Sequence, residues 1–126
     1  MEGDLKNSQD IEKAFQESER YGKIQYVVVT TGAITGEAEK DVEEVEYLSQ
    51  VKIIEEAKKK GIQKYIIISA ALIERPWHPI AVLLNTVAKN IYEYKIKCEN
   101  HLRRSGLNYI IIRPPHLTDG KDEKLG

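Results

Sequence analysis

The sequence predicts an α/β fold built on a doubly wound parallel sheet, and two observations support this. Three short runs are almost continuous in valine, isoleucine and tyrosine: KIQYVVVT (23–30), KYIIIS (64–69) and NYIIIR (108–113). Apolar runs that do not alternate with polar residues are typical of strands buried on both faces of a parallel sheet. Helical patterns separate the runs, and strands alternating with helices indicate right-handed crossovers between parallel strands.

Three amphipathic segments are predicted as the helices of this fold. The first covers about 8–20, where Ser8 can cap the N-terminus and apolar residues form a stripe. The second covers about 41–60, begins with acidic residues and ends with three lysines, which suits the helix dipole. Gly61 follows it and suits a left-handed C-cap. The third covers about 79–105, so the element order is α-β-α-β-α-β.

Length and composition indicate one soluble domain covering residues 1–126. The chain is 41% hydrophobic and 31% charged, with a net charge of -1, which argues against a general electrostatic grip on nucleic acid. No apolar run approaches the roughly 20 residues that a membrane span needs. The single Cys98 excludes an internal disulfide and is interpreted as a buried apolar residue. No His or Cys pair has metal-ligand spacing, so no metal site is predicted.

The first strand poses a question about its neighbours. Three parallel strands are half of a doubly wound sheet, and VVV at 27–29 is apolar enough for a central strand. At an edge, this strand would expose a row of unpaired backbone donors and acceptors. The sequence therefore predicts that another chain covers this strand, or that an N-terminal half of the fold is missing.

Candidate site residues follow the strands, because ligands of open α/β sheets bind beyond the carboxyl ends of the strands. The first strand leads into TTGAITG (30–36), whose small residues allow close approach to a ligand or a plain turn. Ser69 ends the second strand. The third leads into RPPHLTDG (113–120), where His116 is either structural or catalytic.

The loop after the second strand offers further candidates. Trp77 and His78 could line a pocket there, or only pack. Ser69, His78 and Asp119 could be drawn as a catalytic triad. Because Ser69 does not lie in a G-x-S-x-G elbow, a hydrolase is set aside.

The third helix carries a lysine in an apolar setting. A helical wheel through 87–102 predicts one apolar stripe of Val87, Ile91, Tyr94, Cys98 and Leu102. Lys95 lies within this stripe, whereas Lys97 lies on the opposite side and Tyr92 at the margin. A lysine on the buried side needs a partner or a polar cavity. Its stem could simply snorkel to solvent, or its ammonium group could point into a ligand site.

Several segments together resemble a known family over roughly residues 2–120. The longest is K-x-x-x-E-x-x-L-R-x-S-G-L-x-Y-x-I-x-R-P followed by L-T-D, at 95–119; GDL (3–5) and VVVTTGA (27–33) add to it. These segments resemble the later part of an atypical short-chain dehydrogenase/reductase of the NmrA-like, NAD(P)-binding branch. The resemblance implies a three-layer α-β-α Rossmann-like fold, here partial. The expected location is the cytoplasm or an organelle matrix, and the plastid members of the branch make a plastid one of the options.

The resemblance also implies a binding site for NADP or NAD. Asp4 and Leu5 would contact the adenine side, and Ser69 would occupy the region of the catalytic serine. Lys95 would hydrogen-bond the nicotinamide ribose. The remaining contacts would come from Thr31, Gly32 and Ala33 under the adenosine ribose and pyrophosphate, and from Pro114, His116 and Leu117 along the nicotinamide.

Two departures from the family pattern affect the expected activity. The glycine-rich T-G-x-x-G-x-x-G loop and its N-terminal β-α-β unit are missing from this sequence, so dinucleotide affinity is expected to be poor. The family's Tyr-x-x-x-Lys pair is also missing: Ile91 stands four residues before Lys95, and Tyr92 stands three before it.

Two functions therefore stay open from the sequence. The first is an oxidoreductase that transfers a hydride to or from nicotinamide. In it, Lys95 would orient the ribose, and Ser69 or Tyr92 would polarise a carbonyl. The second is a catalytically inactive binding, regulatory or structural subunit that docks through its exposed sheet edge. The family resemblance favours the first, and the missing glycines and tyrosine favour the second.

Overall fold

The structure is a computed structural model that describes residues 1–33, 36–73 and 75–115. One π-helical turn, Glu44–Leu48, joins the helix that ends at Glu43 to the helix that begins at Ser49 without a break. The helices are α1 (Ser8–Glu19), α2 (Glu39–Glu43), α3 (Ser49–Lys60), α4 (Pro79–Val87) and α5 (Ile91–Arg104). The strands are β1 (Tyr26–Val29), β2 (Lys64–Ile68) and β3 (Tyr109–Ile112).

The strands form one parallel sheet in the order β1-β2-β3. In this register Val28 lies opposite Ile66, which in turn lies opposite Ile110. The predicted α/β class with a parallel sheet is thereby confirmed. Each strand is shorter than its apolar run, and neither β1 nor β3 pairs with a second strand among the described residues.

One face of the sheet carries the hydrophobic core. Side chains along a strand alternate between faces, and Val29, Tyr65 and Ile67 point toward the helices, where each is buried. Helix α3 contacts both α1 and α5. The core cluster on this face contains Ile11, Phe15, Val29, Ile53, Ile54, Ala57, Ile62, Tyr65, Ile67, Cys98 and Leu102. Burial of Cys98 at 2% exposure confirms its interpretation as an apolar core residue.

The opposite face of the sheet is apolar and open. Val28 is 60% exposed, and Ile110 and Ile112 are 41% and 44% exposed. Ile66 and Ile68 alternate with the buried residues of β2 and are half-buried. The described residues therefore supply two of the three predicted layers, the sheet and the helices over one face. The unbroken apolar runs fit a sheet whose second face also receives a covering layer.

The helix ends follow local backbone chemistry. Asn7, rather than the predicted Ser8, caps α1: the Gln9 N–H donates to Asn7 Oδ1 over 3.1 Å. Both residues are good N-caps, and a one-residue difference in register decides between them. Gly61 closes α3 in the left-handed conformation, with φ 61° and ψ 43°, as predicted.

The predicted helix over 79–105 is wrong in one respect, because the chain breaks it at residues 88–90. Lys89 and Asn90 have φ values of 50° and 64°, in the left-handed region. Asn85 stabilises the break: its carbonyl accepts from Asn90 N–H (2.8 Å), and its Oδ1 accepts from Tyr92 N–H (3.0 Å). Val87 is consequently 54% exposed and does not belong to the buried stripe of α5.

Tyr65 provides a test of this core. Its side chain is fully buried, its hydroxyl has no hydrogen-bond partner among the described residues, and burial raises its pKa. Tyr65→Phe is expected to leave the free energy of unfolding unchanged or raise it by about 1 kcal/mol, because an unpaired hydroxyl is removed from the core.

Tyr94→Phe serves as the matched control in urea unfolding. This change deletes a hydroxyl that donates to Glu39 Oε1 over 3.0 Å and should cost about 0.5–1.5 kcal/mol. A larger loss for Tyr65→Phe than for Tyr94→Phe would contradict the assignment of an unpaired hydroxyl.

Candidate functional site

Three of the predicted site residues meet at the carboxyl edge of the sheet. Thr31 follows β1, Ser69 follows β2 and Lys95 reaches in from α5, and all three line one small cavity of about 10 Å³. Such a volume holds about one water molecule. Glu46, Gln50, Ile67, Ile68, Cys98 and Glu99 complete the lining.

Lys95 is not free in this cavity but forms a buried ion pair. Its Nζ donates to Glu46 Oε2 over 2.8 Å, and the two side chains are 14% and 4% exposed. The wheel correctly placed Lys95 among buried residues, and Glu46 is the partner that burial demands. An ammonium group has three donors. The bond to Glu46 therefore leaves Lys95 able to donate to a ligand.

The loop after β1 is held by hydrogen bonds to the side chains of Glu46 and Gln50. The other oxygen of Glu46, Oε1, accepts from Ala33 N–H over 2.6 Å, and Gln50 Nε2 donates to Thr31 Oγ1 over 3.2 Å. A Cβ added to Gly32 would lie only 3.3 Å from Glu46 Oε1. The loop therefore lies close against the π-helical turn, and glycine suits that approach.

Ser69 presents a hydroxyl to the same cavity. Its N–H donates to Ile112 carbonyl oxygen over 2.7 Å, which fixes the backbone at the end of β2. Ser69 Oγ and Gln50 Oε1 are buried and make no hydrogen bond of acceptable geometry with any described residue. Ser69 Oγ still lies near enough to Glu99 to help lower the pKa of that carboxyl. The cavity thus holds two polar atoms available to a ligand or a water molecule.

Glu99 and Arg113 explain part of the long motif at 95–119. Glu99 is 1% exposed, and Arg113 donates to it twice, from Nε to Oε1 (3.1 Å) and from a terminal nitrogen to Oε2 (2.5 Å). Arg103 adds a third bond over 3.1 Å. Burial alone would raise the pKa of Glu99, but the bonds and charges of the arginines outweigh it, and the pKa is lowered. This cluster fastens α5 to the end of β3.

Asp4 and Leu5 lie apart from the strand-end cavity. Both line a surface depression of about 410 Å³ against α1, which is within the size range of ligand pockets. Leu5 also lines a groove of about 230 Å³ along β1 that ends at Thr31. The rest of the groove is almost wholly apolar, with Ile11, Ala14, Phe15, Val27, Val28, Val29, Thr30 and Ile53.

Tyr92 does not line the strand-end cavity. It is buried with Ile73 and Ala81 in a separate apolar cluster, and burial raises its pKa. Tyr94 is a core residue, as predicted. Its burial and its bond to Glu39 raise the pKa of Tyr94 to about 12.

The loop candidates have local roles. His78 Nδ1 accepts from Ile80 N–H over 3.3 Å and so caps α4, while Trp77 is 72% exposed. Pro114 carbonyl oxygen accepts from Ala71 N–H over 3.1 Å, which joins the ends of β2 and β3. His116, Leu117 and Asp119 lie outside the described residues.

Glu46 and Gln50 are the site residues that sequence reasoning missed. Glu46 is one of five acidic residues between positions 39 and 46, and no local pattern separates it from its less buried neighbours. A usable signal was Lys95 itself, because a buried lysine requires a carboxylate from another element. Among the described residues, no cluster of His, Cys, Asp and Glu could hold a metal ion. Nor is any helix in that part of the chain long and apolar enough to cross a membrane.

Comparison with known proteins decides the family. The profile of the NAD(P)H-binding family matches residues 1–126, the whole chain. The protein belongs to the NAD(P)H-binding family. Its resemblance to atypical, NmrA-like short-chain dehydrogenases/reductases is thereby confirmed. A chloroplastic protein of Arabidopsis thaliana, itself uncharacterised, is 26% identical over 78 residues, which are 58% of this chain and 28% of that protein.

Solved structures share the fold. A Bacillus halodurans protein classed as an NAD-dependent epimerase/dehydratase superposes with a TM-score of 0.75 at 24% identity, covering 94% of this NAD(P)H-binding chain and 50% of its own. WbmG of Bordetella bronchiseptica, solved with NAD and UDP, superposes with a TM-score of 0.70 at 16% identity. The match covers 90% of this chain and 36% of WbmG. ChuY of Escherichia coli O157:H7, an anaerobillin reductase, superposes with a TM-score of 0.64 at 23% identity. The match covers 89% of this chain and 48% of ChuY. The chain thus spans half or less of the length of these proteins.

Proposed function

We propose that this NAD(P)H-binding domain contributes the nicotinamide-ribose end of a dinucleotide site in an oxidoreductase. The observation that carries the proposal is the meeting of Thr31, Ser69 and Lys95, from three different elements, around one polar cavity. Open α/β proteins bind their ligands beyond the carboxyl ends of the parallel strands. Bound NAD or NADP would supply hydride transfer.

The residues of the cavity fit such a ligand. Lys95 keeps donors for the ribose hydroxyls while it stays paired with Glu46. Ser69 offers a hydroxyl beside Glu99 that can donate to a carbonyl oxygen of the substrate. The cavity itself is too small for a nicotinamide ring. A dinucleotide would therefore lie over its mouth, with Thr31, Gly32 and Ala33 beneath it.

The remaining contacts stay predictions of the family resemblance. Asp4 and Leu5 would meet the adenine in the 410 Å³ depression, and Pro114, His116 and Leu117 would lie along the nicotinamide. Tyr92 would polarise a carbonyl only if a substrate reached its apolar cluster. The cytoplasm or an organelle matrix is the proposed location, and the chloroplastic relative supports a plastid.

A docking role is the second candidate, and the open edge of β1 favours it. This edge pairs with no described strand, and the apolar groove beside it suits packing more than a charged pyrophosphate. The open apolar face of the sheet adds to the surface that a protein partner could cover. In this role the chain would be a catalytically inactive binding, regulatory or structural subunit of a larger assembly.

Titration of the chain with NADPH and NADH, followed by nicotinamide fluorescence, tests the first function. Binding weaker than micromolar is expected, because the sequence carries no glycine-rich phosphate loop. Lys95→Met should weaken binding about ten- to hundredfold, since it removes a charged donor.

Lys97→Met is the matched control for that titration. Lys97 is exposed on the same helix, where its Nζ lies 5.3 Å from the centroid of the Tyr94 ring, and its loss should leave binding unchanged. No binding by the wild-type chain at millimolar NADPH, with normal circular dichroism, would contradict the dinucleotide site. A stable complex with another polypeptide would then support the docking role.

A further inference from the structure

Glu46 is a buried carboxylate whose two oxygens serve two different parts of the site. It lies on the π-helical turn and is 3% exposed. Oε2 accepts from Lys95 Nζ (2.8 Å) and Oε1 accepts from Ala33 N–H (2.6 Å). Single π-helical turns inside helices recur at functional sites. A buried carboxylate is costly unless every oxygen is engaged, so both bonds hold Glu46 in one position.

The two partners of Glu46 are predicted to contact different ends of one ligand. The family resemblance predicts that Lys95 contacts the nicotinamide ribose and that the loop Thr31–Gly32–Ala33 contacts the adenosine ribose and pyrophosphate. Gln50, four residues along the helix, holds the Thr31 hydroxyl independently over 3.2 Å. Glu46 is therefore the side chain whose bonds join the loop directly to Lys95.

We propose that Glu46 is a positioning residue, which orients Lys95 toward the nicotinamide ribose and couples it to the loop at 31–33. The inference rests on the proposed dinucleotide site. In this role Glu46 touches neither the ligand nor the reacting atoms; it occupies one Lys95 donor and leaves the other two for the ligand. Because the loop is bonded to the same carboxylate, ligand contact at the loop also restrains Lys95.

Glu46→Gln separates this role from two simpler ones. Glutamine keeps an acceptor for Ala33 N–H but loses the charge that holds Lys95. A positioning role predicts about tenfold weaker NADPH binding with unchanged binding of ADP, which lacks the nicotinamide ribose. If the charge of Glu46 acted only by repelling phosphates, the substitution would strengthen binding of both ligands. If Glu46 served only the fold, both ligands would bind more weakly by the same factor.

A double-mutant cycle adds a second readout. If Glu46 acts through Lys95, Glu46→Gln should have no further effect on NADPH binding once Lys95 is methionine. Additive effects in this cycle would overturn the proposal. Glu44→Gln, on the same π-helical turn, is the control and should bind NADPH as the wild type does.

The remaining outcomes are also decisive. If Glu46→Gln fails to fold, Glu46→Asp keeps the charge but shortens its reach to both Lys95 and Ala33. It should weaken NADPH binding by a larger factor than ADP binding. Equal binding of NADPH by Glu46→Asp and wild type would overturn the positioning role alone. Failure of the wild-type chain to bind NADPH would overturn the dinucleotide site and this role with it, so the two failures are distinguishable.

Discussion

Arg113→Met is expected to lower the free energy of unfolding by about 3–5 kcal/mol, because it strands the carboxylate of Glu99 inside the protein. Arg113 donates two hydrogen bonds to Glu99, and its side chain is 24% exposed against 2% for Glu99. Without Arg113 the buried carboxylate keeps only the bond from the more exposed Arg103, which compensates its desolvation in part. Urea unfolding at neutral pH measures the loss.

Arg103→Met is the control for this prediction. Arg103 bonds the same carboxylate over 3.1 Å, but its side chain is 38% exposed and it lies four residues away on the same helix. Exposed helical pairs contribute little, so a loss of about 0.5 kcal/mol is expected. Equal losses for Arg103→Met and Arg113→Met would show that Glu99 is not fastened chiefly to the end of β3.

The same cluster predicts a pH dependence. The pKa of Glu99 is lowered from its ordinary 4.5 in the folded state. Its contribution to stability is therefore complete above about 4.5 and is lost as the pH falls through the lowered folded value. In Glu99→Gln this contribution does not titrate. The stability difference between wild type and Glu99→Gln should accordingly shrink below pH 4.5, and a difference that grew on acidification would contradict the assignment.

Leu102→Ala is expected to cost about 2–5 kcal/mol, the second large effect, because it opens a cavity at the centre of the core. Leu102 is fully buried and belongs to the cluster that includes Tyr65 and Ile54. The loss of apolar contact surface and the space left behind both destabilise the fold. Urea unfolding at pH 7 gives the magnitude.

Leu83→Ala supplies the matched comparison. Leu83 lies in α4, is 63% exposed and belongs to neither buried cluster. Its truncation should change stability by no more than about 0.5 kcal/mol. A cost for Leu83→Ala similar to that of Leu102→Ala would mean that α4 is covered in solution, which would favour the docking role.

Much of the fold followed from local patterns. The three β-branched runs predicted the three strands, and the acidic start, basic end and Gly61 predicted the helix that ends at Lys60. The break at 88–90 was not predictable in the same way. Asn90 also donates to Glu39 over 3.0 Å, a contact 51 residues away that no helical wheel can include.

The candidate site was likewise predictable only in part. The apolar stripe of α5 predicted that Lys95 is buried, because helical periodicity places it beside Cys98 and Leu102. Its partner was not predicted. Glu46 lies 49 residues earlier, and its inward orientation depends on a π-helical turn that has no clear sequence signature.

The sequence by itself determined the alternation of helical segments with three strands, the parallel α/β class and the family, because periodicity and motif spacing are local properties of the chain. Only the tertiary structure decided three further features: which face of the sheet the helices cover, that Glu46 holds both Lys95 and Ala33, and that Tyr92 lies outside the strand-end cavity. These depend on contacts between residues far apart in sequence. Of the many charged side chains, only those that the fold buries need an oppositely charged partner, because the others are solvated by water.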